Sequence, residues 1–404
     1  MSEPIVIVGG GLTAAKAVEQ LRESGYDGEL VVFAAEQHLP YERPPLSKGY
    51  LLGDDERDTV FVHDAGWYAE HSVDLRLGAR VDTLDPGAHT VTSGGSVQPY
   101  SQLLLATGSQ PRRFAMADQS GAPVAYLRTV EDTERLKEAF AEGAHIAVLG
   151  AGWIGLEAAS AARKAGAEVT VVESLDLPLL RVLGPEVARA FADLHREHGV
   201  DLRLGVQVSG ISPAGDGVRI DAGGNPVEAD LLLVGIGAAP DTSLAEASGL
   251  AVDNGILVDA ALRTSAPDVL AAGDVANHDH PVLGRVRVEH WDNAIEQGKA
   301  AARVLLGEGA AYDRQPYFFT DQYDLGMEYV GHVDPAAADE VVVRGDTGGD
   351  RVFTAFWVKD GVVAAAMHAN DWDAGDDIKA IVGTRPDLGR LRDPGVPLGD
   401  LTGS

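Results

Sequence analysis

Short, continuous apolar runs bounded by glycine or polar turns punctuate this chain: Ile5–Val8, Leu30–Phe33, residues 103–105, residues 146–149 and Leu231–Val234, with Glu168–Val172 a more mixed run of the same length. Runs of this length, apolar on both faces and rich in Val, Ile and Leu, are the pattern of strands buried inside a parallel sheet. After the first run, Ala17, Val18 and Leu21 follow a helical spacing that stops at Gly25; after the fourth, Ala158, Ala159, Ala161 and Ala162 do the same. Strand, helix and strand in that order, twice, predict two α/β units. Residues 54–100 mix a polar helical piece around Trp67 with short strands at 73–77 and 80–82. Residues 200–220 alternate as a small β-meander, and residues 293–306 read as a helix. The tail reads as antiparallel strands at 340–343, 352–358 and 362–368, then a helix from 377 to 382.

What joins strand to helix carries the chemistry. The first junction is Gly9-Gly10-Gly11-Leu12-Thr13-Ala14, a G-x-G-x-x-A, and the second is Gly150-Ala151-Gly152-Trp153-Ile154-Gly155, a full G-x-G-x-x-G. The first glycine of such a turn permits the tight bend, the second lets backbone approach a pyrophosphate, and the third small residue lets helix and strand pack closely. The helix start then presents its unpaired N–H groups to phosphate. An acid about 20 residues downstream completes each unit: Glu36 and Glu173 follow the second strands, placed to accept ribose hydroxyls. No cation follows Glu173 in Ser174-Leu175-Asp176, so the second site is expected to prefer NADH over NADPH.

Composition narrows the chemistry. Cysteine is absent, which excludes disulfides, thiolate metal sites and dithiol catalysis. With 62 acidic against 32 basic residues the formal charge is −30, which disfavours nucleic acid and anionic membrane as partners. The strand at Ile5 leaves no room for a basic and then apolar leader, so a cytoplasmic location is expected. The H-E-x-x-H, Walker and G-x-S-x-G motifs are missing. His278 and His280 flank Asp279 in a stretch read as a solvated loop, and no metal is expected.

The run Pro40-Tyr41-Glu42-Arg43-Pro44-Pro45-Leu46-Ser47-Lys48 resembles the P-Y-x-R-P-P-L-S-K signature of the FAD- and NADH-dependent ferredoxin and rubredoxin reductases, the group that includes putidaredoxin reductase and the reductase components of ring dioxygenases. Four further segments share the resemblance: Ala106-Thr107-Gly108; Leu127-Arg128-Thr129; Thr264 through Ala271, Ala272, Gly273 and Asp274; and Pro316-Tyr317-Phe318-Phe319-Thr320-Asp321-Gln322-Tyr323-Asp324. In the last, Phe319 and Thr320 stand where the family usually has Trp and Ser.

The resemblance implies a glutathione-reductase-like α/β fold. Its expected limits are an FAD domain from residues 1–108 and 244–322, an NADH domain from 109–243 and a C-terminal α+β domain from 323–404. It implies FAD contacts at Gly9, Gly11, Leu12, Thr13, Ala14, Glu36, Arg43, Lys48, Val81, Ala106, Thr107, Gly108, Arg128, Asp274 and Trp291. NADH contacts are expected at Gly150, Gly152, Trp153, Ile154, Gly155, Glu173, Gly235, Ile236 and Gly237. Lys48 and Glu157, placed opposite one another by the resemblance, are expected to tune the flavin and nicotinamide surroundings, and Lys299 and Phe319 to meet a ferredoxin. The activity implied is hydride transfer from NADH to FAD and single-electron delivery to an iron–sulfur protein that supplies an oxygenase. The alternative is an NADH-responsive interaction protein resembling apoptosis-inducing factor. Oligomeric state stays open.

Overall fold

The computed structural model describes residues 3–402. The chain divides into two compact units, one of residues 1–44, 56–110 and 238–316, the other of residues 45–55, 111–237 and 317–404.

The first unit is built on a five-stranded all-parallel sheet in the order Val269–Ala271, Gln102–Leu105, Ile5–Val8, Leu30–Phe33, Val73–Arg76. The central strands are buried throughout, as their uniform apolar character requires. Helices Leu12–Glu23 and Trp291–Leu305 pack so tightly that a Cβ on Gly298 would collide with the Thr13 carbonyl. The piece expected to be a strand at 80–82 is irregular; the antiparallel ribbon starts instead at Thr83–Asp85 and continues through Thr90–Ser93 and Ser96–Pro99.

The second unit has its own five-stranded parallel sheet, ordered Asp201–Arg203, Glu168–Val172, His145–Leu149, Leu231–Val234, Val124–Ala125, and a three-stranded antiparallel sheet from Val208 to Ala229. Its C-terminal portion is an antiparallel sheet in the order Tyr317–Gln322, Leu325–Gly331, Val362–Ala369, Phe353–Lys359, Glu340–Gly345, with helix Gly375–Ile381 against it. The α/β class read from the sequence is the one observed. A helix that the sequence reading passed over, Leu180–Glu197, breaks at Gly184, whose φ is 74°, ahead of Pro185. Beyond the break it is amphipathic and buries Phe191, Leu194 and His195.

Two expected boundaries move. Tyr317–Gln322 is hydrogen-bonded to Leu325–Gly331, so the C-terminal sheet begins at residue 317 and not at 323. The strand Ala238–Pro240 pairs with Ser109–Pro111 and belongs to the first unit, so the second crossover comes before residue 244. Residues 45–55 also leave the first unit: Leu51 packs with Leu136 and Leu156, and the Thr133 hydroxyl donates to the Leu46 carbonyl at 3.1 Å. The solvated loop expected around His278 and His280 is not formed. Ala276–His280 is a strand, and both imidazoles are buried, His278 facing the Ala260 carbonyl and His280 accepting from the Val282 and Leu283 amides.

Candidate functional site

In the first unit, strand Ile5–Val8 turns at Gly9, whose φ of 134° and closeness to the Ala106 carbonyl exclude any side chain. Gly11 then caps helix Leu12–Glu23 without any side-chain hydrogen bond, and the space where its Cβ would stand is open. The N–H groups at the start of this helix, through Leu12, Thr13 and Ala14, therefore face an open cradle suited to an anion. Ala14 is buried, as close helix–sheet packing demands.

Around this turn, Glu36 accepts from the Tyr41 hydroxyl at 2.5 Å and pairs with Arg43 at 3.1 Å. The acid expected on a ribose and the cation expected on a pyrophosphate are thus held against each other. Thr107 donates its hydroxyl to the Asp241 carbonyl at 2.7 Å, and Gly108 accepts from the Asp241 amide. Asp274 accepts from the Ser109 hydroxyl at 2.8 Å, beside a Gly273 that touches Thr13. Val81 is half-buried against the sheet core, and Trp291 is the first residue of its helix.

The second unit repeats the device. Gly150, with φ 102°, closes on the Gly235 carbonyl; Gly155 presses on the Gly150 carbonyl; Gly152 caps helix Trp153–Lys164 with no side-chain bond and open space at its Cβ. Glu173 braces this turn from below: one oxygen accepts from the Ala151 amide at 2.8 Å, the other from the Leu175 amide at 2.9 Å. Ile154 and Ile236, the latter between Gly235 and Gly237, are among the few large apolar side chains left exposed. Trp153 behaves differently, packing edge-on against Phe191 and Phe318. Arg128 donates its amide to Asp132, which closes a capping box with Thr129.

The third constellation also lies within the second unit. Glu157, on the buried face of helix Trp153–Lys164 and 3% exposed, meets the Lys48 ammonium at 2.8 Å. Its Oε2 also accepts from the Ser47 hydroxyl at 2.5 Å, and its Oε1 from the Thr320 hydroxyl at 2.6 Å. A buried carboxylate is tolerated only when partnered in this way. Phe319 lies with its ring 5.5 Å from the Lys48 nitrogen. Behind Thr320 stand Gln322, donating to the Thr320 hydroxyl at 3.2 Å, and His195, 2.8 Å from the Gln322 carbonyl oxygen. Burial pushes the His195 imidazole down to about 4, so it is neutral at neutral pH.

The expected opposition of Lys48 and Glu157 is therefore a direct ion pair. Ser47, Thr320, Gln322 and His195 had no assigned role. A signal for two of them was present: along Tyr317–Gln322 the inward positions are Phe318, Thr320 and Gln322, two polar side chains where a half-buried strand wants apolar ones. Lys299 in the first unit is ion-paired to Glu296 at 3.0 Å on its own helix, so its charge is already answered there. Among the described residues no group of three or more His, Asp or Glu is placed to hold a metal, and no helix is long and apolar enough to cross a membrane.

The pyridine nucleotide-disulphide oxidoreductase family matches residues 3–298, and the reductase C-terminal domain matches residues 317–402. The chain is 42% identical to the ferredoxin–NAD(+) reductase component of the anthranilate 1,2-dioxygenase system of Burkholderia cepacia, covering 98% of both proteins. It is 34% identical to putidaredoxin reductase of Pseudomonas putida, covering 99% of this chain and 97% of that one. Among solved structures, the covalent putidaredoxin reductase–putidaredoxin complex superimposes with a TM-score of 0.94 at 33% identity, over 99% of this chain and 98% of the other. This chain belongs to the pyridine nucleotide-disulphide oxidoreductase family, among its ferredoxin–NAD(+) reductases.

Proposed function

We propose that the protein is an NADH-dependent ferredoxin reductase that holds FAD in its first unit, receives NADH in its second, and passes electrons to a ferredoxin-type iron–sulfur protein serving an oxygenase. The observation that carries the reading is the pair of uncapped, glycine-opened helix starts, each with open space where a side chain would otherwise stand. Two such cradles on two parallel sheets suit two dinucleotides. Bound FAD supplies the redox chemistry, accepting a hydride and giving up two electrons one at a time.

The chain's own residues bind and orient. In the first unit, Gly9, Gly11 and the helix start through Leu12, Thr13 and Ala14 take the pyrophosphate. Glu36, on releasing Arg43, takes ribose hydroxyls, and Arg43 turns to phosphate. Val81, Ala106, Thr107, Gly108, Asp274 and Trp291 complete that unit's FAD contacts. In the second unit Gly150, Gly152 and Gly155 take the NADH pyrophosphate, Glu173 its ribose, and Ile154, Ile236 and the flanking glycines its nicotinamide half. Lys48 and Glu157 set the charge near the reacting rings. Without cysteine no dithiol can relay electrons, so the acceptor must draw them from the cofactor itself. With a charge of −30, docking of an acidic ferredoxin needs local basic character, for which Lys299 in the first unit is proposed; Phe319 in the second unit is proposed as a separate partner contact.

A cytoplasmic location suits a reductase fed by the NADH pool, and cell fractionation tests it. The function is tested by purifying the protein, recording the flavin spectrum, and measuring ferredoxin-dependent electron delivery with NADH and with NADPH. Flavin-bound protein with rapid NADH-driven ferredoxin reduction is expected. Negligible turnover with NADH-dependent oligomerisation would replace this reading with the redox-sensor alternative.

A further inference from the structure

The hydrogen bonds behind Glu157 run in one direction. Thr320 has a single hydroxyl proton, and at 2.6 Å from a carboxylate oxygen that proton belongs to Glu157. The lone pairs left on Thr320 therefore face a donor, which sets the Gln322 amide with its NH2 towards Thr320 at 3.2 Å and its carbonyl towards His195 at 2.8 Å. That carbonyl needs an N–H, so neutral His195 carries its proton on Nε2. Its Nδ1 then accepts from the Tyr323 hydroxyl, 3.4 Å away, whose ring is stacked on His198 at 3.8 Å. Every donor from Tyr323 to Thr320 points towards Glu157.

Packing alone does not call for this arrangement. Gln322 and His195 are 1% and 0% exposed, and burying an amide and an imidazole carries a penalty that two apolar side chains of similar volume would avoid. What the polar chain adds is polarisation of the last donor and a fixed direction for it. Oε2 of Glu157 is served by Ser47 and Lys48, both from the 45–55 segment, whereas Oε1 is served by Thr320 from the C-terminal sheet. The carboxylate plane is pinned at both ends, and with it the ammonium of Lys48.

We infer that Gln322 and His195 are positioning residues, holding the Thr320 hydroxyl as a donor to Glu157 so that the Glu157–Lys48 pair keeps the orientation hydride transfer uses. The catalytic part of this inference rests on the proposed function; the donor chain does not.

The test combines a spectroscopic signature with a coupling measurement. In the purified holoprotein, 15N NMR of labelled histidine should show His195 as the Nε2–H tautomer. In stopped-flow reduction of the bound flavin by NADH, Gln322→Met should lower the limiting rate about tenfold, the loss of about one polarised hydrogen bond, and leave the NADH dissociation constant within about twofold. In a Thr320→Val background the same substitution should change the rate less than about twofold, because its route to Glu157 is gone. An Nδ1–H tautomer overturns the donor chain, and it does so from the wild type alone should Gln322→Met fail to fold. An equal loss in both backgrounds overturns the positioning role. Protein with the Nε2–H tautomer that binds no FAD refutes the proposed function and the catalytic consequence while the chain stands. Protein that binds FAD and oxidises NADH but shows Nδ1–H refutes the chain alone.

Discussion

Replacing Lys48 by Met removes the cation from a carboxylate that has almost no access to water. Glu157 is 3% exposed and its partner 17%, with 2.8 Å between them. Two unit charges about 4 Å apart at an effective dielectric of about 20 attract by about 4 kcal/mol. Removing one member of a buried pair costs about 3–5 kcal/mol. The Ser47 and Thr320 hydroxyls remain on Glu157, and Lys48 is exposed enough for water to take its place in part, which brings the expected loss for Lys48→Met to about 2 kcal/mol. Glu157→Gln leaves an acceptor for one hydroxyl and releases Lys48 towards solvent, an expected loss of about 1–2 kcal/mol. The double variant carries no unpaired charge. It should lose about 2 kcal/mol in all, so the coupling energy is about 1–2 kcal/mol. The assay is urea unfolding followed by tryptophan fluorescence, to which Trp357 in the core of this unit and Trp153 packed against it contribute, with the FAD dissociation constant of each variant measured so that cofactor linkage is subtracted. Strict additivity, with coupling below about 0.5 kcal/mol, would refute the claim that this pair is the charge balance of the cluster.

Four further outcomes follow from the geometry. Gly11→Ala and Gly152→Ala project a methyl into open space, so thermal stability should hold while FAD content falls in the first and the Michaelis constant for NADH rises in the second; Gly155→Ala drives a methyl into the Gly150 carbonyl and should itself lower stability by about 1–3 kcal/mol in a denaturation experiment. Glu173→Ala loses both the proposed ribose acceptor and the brace on the Ala151 amide, and should raise the Michaelis constant for NADH about tenfold or more, with an unchanged constant contradicting the assignment. Lys299→Glu should slow ferredoxin reduction at low salt and spare ferricyanide reduction; because Glu296 already answers Lys299, the effect should be modest, about threefold, and vanish at high salt. His195 binds its proton more weakly when folded, about 4 against 6.5 unfolded, so its contribution to stability is present above pH 6.5 and is lost as pH falls towards 4; it amounts to about 3 kcal/mol, and pH-dependent melts of His195→Leu should lack that component.

Sequence alone determined the parts of this protein that depend on local rules. A four-residue apolar run, a glycine that must turn with positive φ, a helix beginning at once and an acid after the next strand are all set within about 30 residues, which is why the geometry of both glycine turns is legible down to Gly9, Gly11, Gly150, Gly152 and Gly155. The pairing of Lys48 with Glu157 was foreseeable only through resemblance, since nothing local joins them. Register and helix packing decided the rest. Ser47 and Glu157 are 110 positions apart, Glu157 and Thr320 are 163 apart, and His195 and Gln322 are 127 apart. Whether the hydroxyl of Thr320 reaches a carboxylate depends on which face of Tyr317–Gln322 turns inward and on where helix Trp153–Lys164 crosses it, and a slip of one residue would exchange Thr320 for Phe319 or Asp321. Hydrogen-bond direction is settled only when all partners are within reach, so the chain of donors behind Glu157 exists in the tertiary structure and in no single segment of the sequence.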